Sequence, residues 1–204
     1  MIAIIDYGVG NLFSLSGSLN YLGLENKITS DYQDIKNADH IILPGVGAFK
    51  DAIEKLQASG LVDVIIKEVS RGKPLLGICL GMQLLFNKSY EYGVHNGLGL
   101  IDGEIRPIID DLKQKLKVPH MGWNKLELKK SSRLFKYTKD SSYVYYVHSF
   151  YAKNCASSVI ATSEYDIEIT GVVENGNVFG TQFHPEKSGE VGLRILKAFA
   201  EIGG

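Results

Sequence analysis

Cysteine is scarce in this chain of 204 residues, which holds only Cys79 and Cys155. Two thiols in such different settings cannot build the disulfide framework of a secreted domain, and a reducing cytoplasm is the compartment they suit. Charge imbalance is missing as well. Lys and Arg total 22 against 23 Asp and Glu, a net charge of -1 with no block of either sign. Nothing of that kind would track a phosphate backbone, which argues against a nucleic-acid partner. Long apolar runs are also lacking: the longest, residues 74–86, is too short to span a bilayer and is interrupted by glycine and polar residues. The opening MIAIIDYG has no basic n-region and reads as a strand, not a signal peptide. Neither linker, repeat nor low-complexity segment divides the chain, so residues 1–204 are expected to form one domain.

What is present has globular character. Hydrophobic residues make up 45% and charged residues 22%, enough apolar material for a core and no sign of disorder. The first half alternates short β runs with helical patterns: a strand over 2–6, then Leu12, Leu15, Leu19 and Leu22 at helical spacing, stopped by Gly23. Further β runs at 26–30 and 40–43 lead into the pattern Phe49, Ile53, Leu56, and a helix over 61–69 ends at Arg71-Gly72. The uninterrupted apolar run 74–78 is what a strand buried on both faces requires. The fold class is therefore α/β, an open, mostly parallel, doubly wound sheet of flavodoxin-like type, with a β-rich C-terminal half. In that half residues 98–108, 125–128, 143–147 and 172–183 read as β. Asn175-Gly176 marks a two-residue hairpin turn, and a last helix over 191–202 docks through Leu193, Leu196 and Phe199.

Gly77-Ile78-Cys79-Leu80-Gly81 follows the buried strand and precedes Met82-Gln83-Leu84-Leu85-Phe86, which is helical in composition. It is a cysteine version of the nucleophile elbow, in which flanking glycines permit a sharp strand-to-helix turn that lifts the nucleophile above the sheet. A helix N-terminus there favours the thiolate, the nucleophilic form. Cys155 has no such turn and reads as structural. A thiol nucleophile needs a base, and the base needs a group that orients it. Gln182-Phe183-His184-Pro185-Glu186 offers both: in an extended segment positions i and i+2 point the same way, which sets Glu186 beside the His184 ring. His40 reads as structural and His95 as solvated. No His, Cys and carboxylate spacing suits a metal, and none is expected. A tetrahedral oxyanion needs two donors, for which the Leu80 amide and the loop Gly45-Val46-Gly47 are placed; that loop is equally readable as a tight βα turn.

Three features occur here in the order that marks one family: a Pro-Gly-x-Gly loop at Pro44, a Gly-x-Cys-x-Gly elbow followed by Gln83, and His184-Pro185-Glu186. Together they resemble the class I, or triad, glutamine amidotransferases, and the resemblance covers essentially the whole chain. It implies that Cys79 attacks the glutamine amide, that His184 moves protons and that Glu186 orients His184. Val46, Gly47 and Leu80 would form the oxyanion hole, and Gly45, Gln83, His148, Ser149 and Phe150 would meet the substrate. A core-packing role remains open for the last strand, through Tyr143, Tyr145 and Val147. No cofactor is implied.

The segments IDYGVGNL (residues 5–12) and PHMGWN (residues 119–124) resemble one branch of that family, the glutaminase subunits of imidazole glycerol phosphate synthases. That likeness implies a heterodimer with a separate (β/α)8-barrel cyclase subunit, which the chain is too short to contain itself. It places Asn11, His120, Met121, Trp123 and Lys187 at the interface. Trp123 suits an interface anchor or a buried core position equally. Alternatives on the same residues are a stand-alone cysteine amidase, a subunit of another amidotransferase, a binding subunit without catalysis, and a flavin or nucleotide module.

Overall fold

The computed structural model describes residues 1–203. Short apolar runs of the first half form strands, each followed by a helix. β1 (Ile2–Ile5) leads into α1 (Leu12–Tyr21), β2 (Asn26–Thr29) into α2 (Tyr32–Asn37), and β3 (His40–Gly45) into α3 (Phe49–Ala58) and α4 (Val62–Ser70). β4 (Leu75–Cys79) runs into the short helix α5 (Leu80–Leu84). The second half is β-rich, with β5 (Phe86–Ser89), β6 (His95–Asn96), β7 (Ile101–Pro107), β8 (His120–Leu128) and β9 (Ser142–His148). β10 (Phe150–Lys153), β11 (Val159–Tyr165), β12 (Ile167–Asn175) and β13 (Val178–Thr181) follow, and α6 (Gly189–Ala200) closes the chain.

The strands make a nine-stranded sheet in the order β2-β1-β3-β4-β13-β12-β11-β8-β9 and a four-stranded sheet in the order β10-β7-β5-β6. Neighbours from β2 to β13 are parallel, and those from β13 to β9 antiparallel. Side chains alternate across the parallel half as the two-residue strand period requires. Ala3, Ile5, Ile41 and Leu43 pack with Ile35, Ile53, Leu56 and Ile65 of α2, α3 and α4. Ile2, Ile4, Ile42 and Leu76 pack on the other face with Leu15 and Leu19 of α1 and Ile195 and Phe199 of α6. Burying both faces is what makes these strands uniformly apolar. Among the described residues no helix is long and apolar enough to cross a membrane.

Four local expectations change. Asn175 pairs with Val178, so the hairpin turn is Gly176-Asn177 and Gly176 takes the positive φ, 62°. Only residues 80–84 of the elbow's second half are helical, because Phe86 leaves the helix to pair with Ile101 of β7. Leu193 is only half-buried, and Ile195 takes its place in the core. The short helix α2 is one that sequence periodicity misses, and the Asp31 side chain caps it by accepting from the Gln33 and Asp34 amides.

α5 lies unusually close to the sheet. A Cβ on Gly81 would fall on the carbonyl of Leu43 in β3, and one on Gly77 would meet the Met82 Cα at 2.7 Å. Gly81→Ala therefore forces β3 and α5 apart. Such overpacking costs about 1–3 kcal/mol or more, and urea denaturation should show the variant losing at least that much stability.

Candidate active site

Because β3, β4 and β13 are parallel neighbours, their C-terminal ends open on one edge of the sheet, where ligands of open α/β folds bind. Cys79 ends β4 with φ 54° and ψ -111°. A non-glycine residue at such a φ is strained by about 1–3 kcal/mol, and the close glycine contacts on either side hold it there. Its sulfur is turned toward the Val147 carbonyl at 3.9 Å and receives Gln182 Nε2 at 3.8 Å. The register that sets Thr181 opposite Ile78 brings Gln182 there.

His184 follows β13. Its backbone is clasped to β9: the His184 amide donates to the Tyr145 carbonyl at 3.1 Å. The Ser188 hydroxyl donates to the His184 carbonyl at 2.7 Å and accepts from the Tyr145 amide at 3.0 Å. Nδ1 donates to Glu186 Oε1 at 2.8 Å. The expected i to i+2 contact thus forms, through a single 3-10 turn at Pro185–Lys187 and not through extended chain. Both side chains are almost fully buried, and Glu186 Oε2 has no hydrogen-bond partner among the described residues. Burial works against a charged imidazole, but the adjacent Cys79 sulfur and the Glu186 carboxylate outweigh it and push the His184 pKa up to about 10. The sulfur's hydrogen bonds run to Val147 and Gln182, and the His184 ring lines the same cleft beside it.

A cleft of about 370 Å³ opens over this pair, at the small end of the range for small-molecule sites. Of the residues expected at substrate or oxyanion, Val46, Gly47, Leu80, Gln83, His148, Ser149 and Phe150 line it with Cys79 and His184. Gly45 does not. It is buried under the elbow, where a Cβ would meet the Gly81 amide at 2.7 Å, and it borders a smaller cavity behind His184 together with Asn11 and Glu186. Gln83 Nε2 is committed to the Phe150 carbonyl at 3.1 Å and Gln182 Oε1 at 3.0 Å. β9 does pack in the core, but through the opposite face from the one expected: Val144 and Tyr146 enter the core, while Tyr143 is exposed and Val147 faces the cleft.

Residues expected at an interface divide. Met121 and Trp123 are 60% and 57% exposed, Lys187 is exposed and Asn11 half-buried. Trp123 is therefore no core residue. His120, by contrast, is buried, since the alternation along β8 turns it away from the face that carries Met121 and Trp123. Of the remaining histidines, His40 is structural, bonding the Ile202 carbonyl at 2.8 Å. His95 is less solvated than expected, with a buried Nε2 in β6. Cys155 is buried beside Thr170, and burial pushes its thiol up.

Sequence reading passed over Gln182, Glu91, Tyr92 and Pro119. Gln182 adjoins the sulfur, and the other three line the cleft. Gln182 carries a signal, standing two residues before His184 at a strand end. Glu91 gives none, because its place depends on the long-range bond from the Phe49 amide to its Oε2 at 2.7 Å.

The sequence matches the family model Glutamine amidotransferase class-I over residues 3–202. It is 50% identical over 202 residues to the "Imidazole glycerol phosphate synthase subunit HisH" of Listeria monocytogenes serovar 1/2a, covering 99% of this chain and 96% of that one. The chain belongs to the class-I glutamine amidotransferases, among the HisH subunits. A HisH subunit from Bacillus cereus is 52% identical over 202 residues, covering 99% of this chain and 95% of its own. In fold, this amidotransferase is similar to a crystal structure titled as a glutamine amidotransferase, with a TM-score of 0.76, 19% identity and 98% of each chain covered. "Structure of PurLQS from Thermotoga maritima" gives a TM-score of 0.74 at 21% identity, covering 97% of this chain and 96% of that one. This chain is thus the glutaminase subunit of an imidazole glycerol phosphate synthase.

A folded pKa raised from the ordinary value near 6.5 to about 10 means that His184 adds stability in full below about 6.5 and loses it as pH rises through 10. NMR of the ring should show an imidazolium at neutral pH that titrates near 10. Cys79→Ala should move that midpoint down, because burial then acts against fewer opposing contacts. A neutral ring at pH 7 in the unmodified protein would contradict the arrangement.

Proposed function

We propose that Cys79, His184 and Glu186 carry out the glutamine hydrolysis of this subunit as nucleophile, proton carrier and orienting carboxylate. The observation that carries the assignment is the position of His184, bonded through Nδ1 to a buried carboxylate and bordering the Cys79 cleft on its other side. The Cys79 thiolate attacks the side-chain carbonyl carbon of glutamine, and the carbonyl electron pair moves onto oxygen. Backbone amides of Leu80 and the Val46-Gly47 loop stabilise that oxyanion. As the intermediate collapses, the carbon–nitrogen bond breaks and His184 protonates the departing nitrogen, which leaves as ammonia while the γ-glutamyl group stays on Cys79 as a thioester. Neutral His184 then takes a proton from water, which attacks the thioester. Glutamate leaves, the sulfur is restored as thiolate and His184 as imidazolium. The backbone end of glutamine needs an anion for its ammonium group, and among the described residues Glu91 is the only carboxylate lining the cleft.

The ammonia acceptor is a cyclase partner, with which this chain forms a heterodimer, and the reading given to that partner is a (β/α)8-barrel subunit. Support comes from the row of exposed apolar side chains Met121, Trp123 and Tyr143 on β8 and β9, next to cleft residues Pro119 and Val147. Aromatic and Met anchors beside a pocket mouth are what a tight interface uses. Lys187 is exposed two residues before Gly189, which lies against Trp123, and Asn11 borders the cavity behind His184. A cytoplasmic setting fits a biosynthetic subunit with two unpaired thiols.

Glutamate release, measured for the chain alone and with a cyclase subunit plus its ribonucleotide ligand, tests the reading. Strong dependence on the liganded partner is expected; full activity alone, indifferent to the partner, would point to a free-standing amidase. Cys79→Ala should lose hydrolysis while still folding and binding the partner, and Glu186→Ala should lose less, since orientation matters less than the nucleophile. Equal losses in folded proteins would overturn the division of roles. Glu91→Gln should raise the KM for glutamine roughly tenfold or more while leaving iodoacetamide alkylation of Cys79 unchanged.

A further inference from the structure

His120 and His148 are buried, belong to none of the chemical steps above, and face each other across the β8–β9 ladder. His120 Nδ1 lies 2.9 Å from His148 Nε2, and His148 Nδ1 lies 2.8 Å from the Phe150 carbonyl. On the far side Asn124 Nδ2 reaches His120 Nε2 at 3.2 Å and the Glu164 carbonyl at 2.8 Å, while Asn124 Oδ1 accepts from the Lys125 amide at 2.7 Å. A carbonyl can only accept, so His148 carries its proton on Nδ1 and accepts at Nε2. His120 must then donate from Nδ1 and accept from Asn124 at Nε2. One proton per ring satisfies every ring nitrogen, and the chain runs in one direction from Asn124 to Phe150. Stacking on Tyr146 and Tyr165, at centroid distances of 4.8 and 4.2 Å, fixes the plane of His120. Burial pushes the His120 pKa down to about 4 and the His148 pKa down to about 3, the second aided by the charges of His120 and His184. Both rings are neutral at physiological pH.

The end of this chain is a wall of the cleft. The Phe150 carbonyl takes a second bond from Gln83, and the Ser149 carbonyl is held by the Ile108 amide at 2.9 Å. Carbonyl and N–H point opposite ways across a trans peptide, so the Ile108 bond to the Ser149 carbonyl sets the Phe150 N–H, and the bonds to the Phe150 carbonyl set the plane of the next peptide and with it the far end of Phe150. Resting on the glutaminase reading, we infer that His120 and His148 are positioning residues, a directed pair that anchors the cleft wall Ser149-Phe150 at its Phe150 carbonyl, so that this wall can receive the α-carboxylate end of glutamine.

Steady-state glutaminase kinetics of the full chain with its cyclase subunit and ribonucleotide ligand test this. His120→Phe keeps an aromatic ring between the two tyrosines but removes both hydrogen bonds. It should raise the KM for glutamine roughly tenfold with kcat changed less than about threefold. Iodoacetamide alkylation of Cys79, which needs no grip on a substrate backbone, should keep its rate. His120→Asn, whose amide can donate near the position of Nδ1, should recover much of the KM. An unchanged KM in His120→Phe would overturn the inference, as would kcat and alkylation falling together with KM. Should that variant not fold, NMR of the unmodified chain decides: both rings should be neutral with the proton on Nδ1 at pH 7, and any other tautomer overturns the inference. An unmodified complex without glutaminase activity would refute the activity itself, which the tautomers do not address.

Discussion

The structure depends on one strained residue. Cys79 stands at a backbone angle that side chains normally avoid, at the junction of β4 and α5, and the turn survives because Gly77 and Gly81 let the helix lie against the strands with no Cβ between them. Gly45 extends the same close fit to β3. The strain has a chemical outcome: the sulfur is presented at the edge of the sheet, where neighbouring loops converge, instead of pointing into a face of the core. Glycine here acts as a spacer whose absence of side chain sets how far the nucleophile projects.

Electrostatics around the sulfur follow from burial. Glu186 has one oxygen bonded to His184 and the other without a donor among the described residues, so the imidazolium is its nearest compensation. The sulfur on one side and a carboxylate so enclosed on the other keep the ring charged. Three groups therefore hold a single charge distribution in common, and altering any one changes the other two.

How much of this was legible in the sequence varies with the range of the cause. The buried strands were readable because an uninterrupted apolar run as short as 74–78, bounded by turn residues, suits little besides a strand covered on both faces. The elbow and the His184-Glu186 pair were readable because each is contiguous. The second sheet was not: β5, β6 and β10 are short, β6 pairs only with β5, and the pairing of β10 with β7 joins residues distant in sequence. Glu91 was invisible for the same reason, since its role depends on an amide of α3. His120 was misplaced because the motif that contains it lies on a strand whose successive residues face opposite ways, so one segment serves two sides of the sheet. Motif membership gave the strand, and only the pleat gave the direction.

β13 is paired in parallel with β4 on one side and antiparallel with β12 on the other. Because β4 and β13 are direct neighbours, nucleophile and base leave the sheet at the same height, fixed by a register of a few backbone bonds. The long stretch of chain between them makes its excursion through the antiparallel half and the small second sheet, then returns to that seam. Apart from β9, whose Tyr145 holds the His184 backbone, loops along the excursion can be lengthened, shortened or reshaped without altering the distance between sulfur and imidazole. A division of this kind lets one reaction centre be inherited unchanged while the surface around it is rebuilt for new companions.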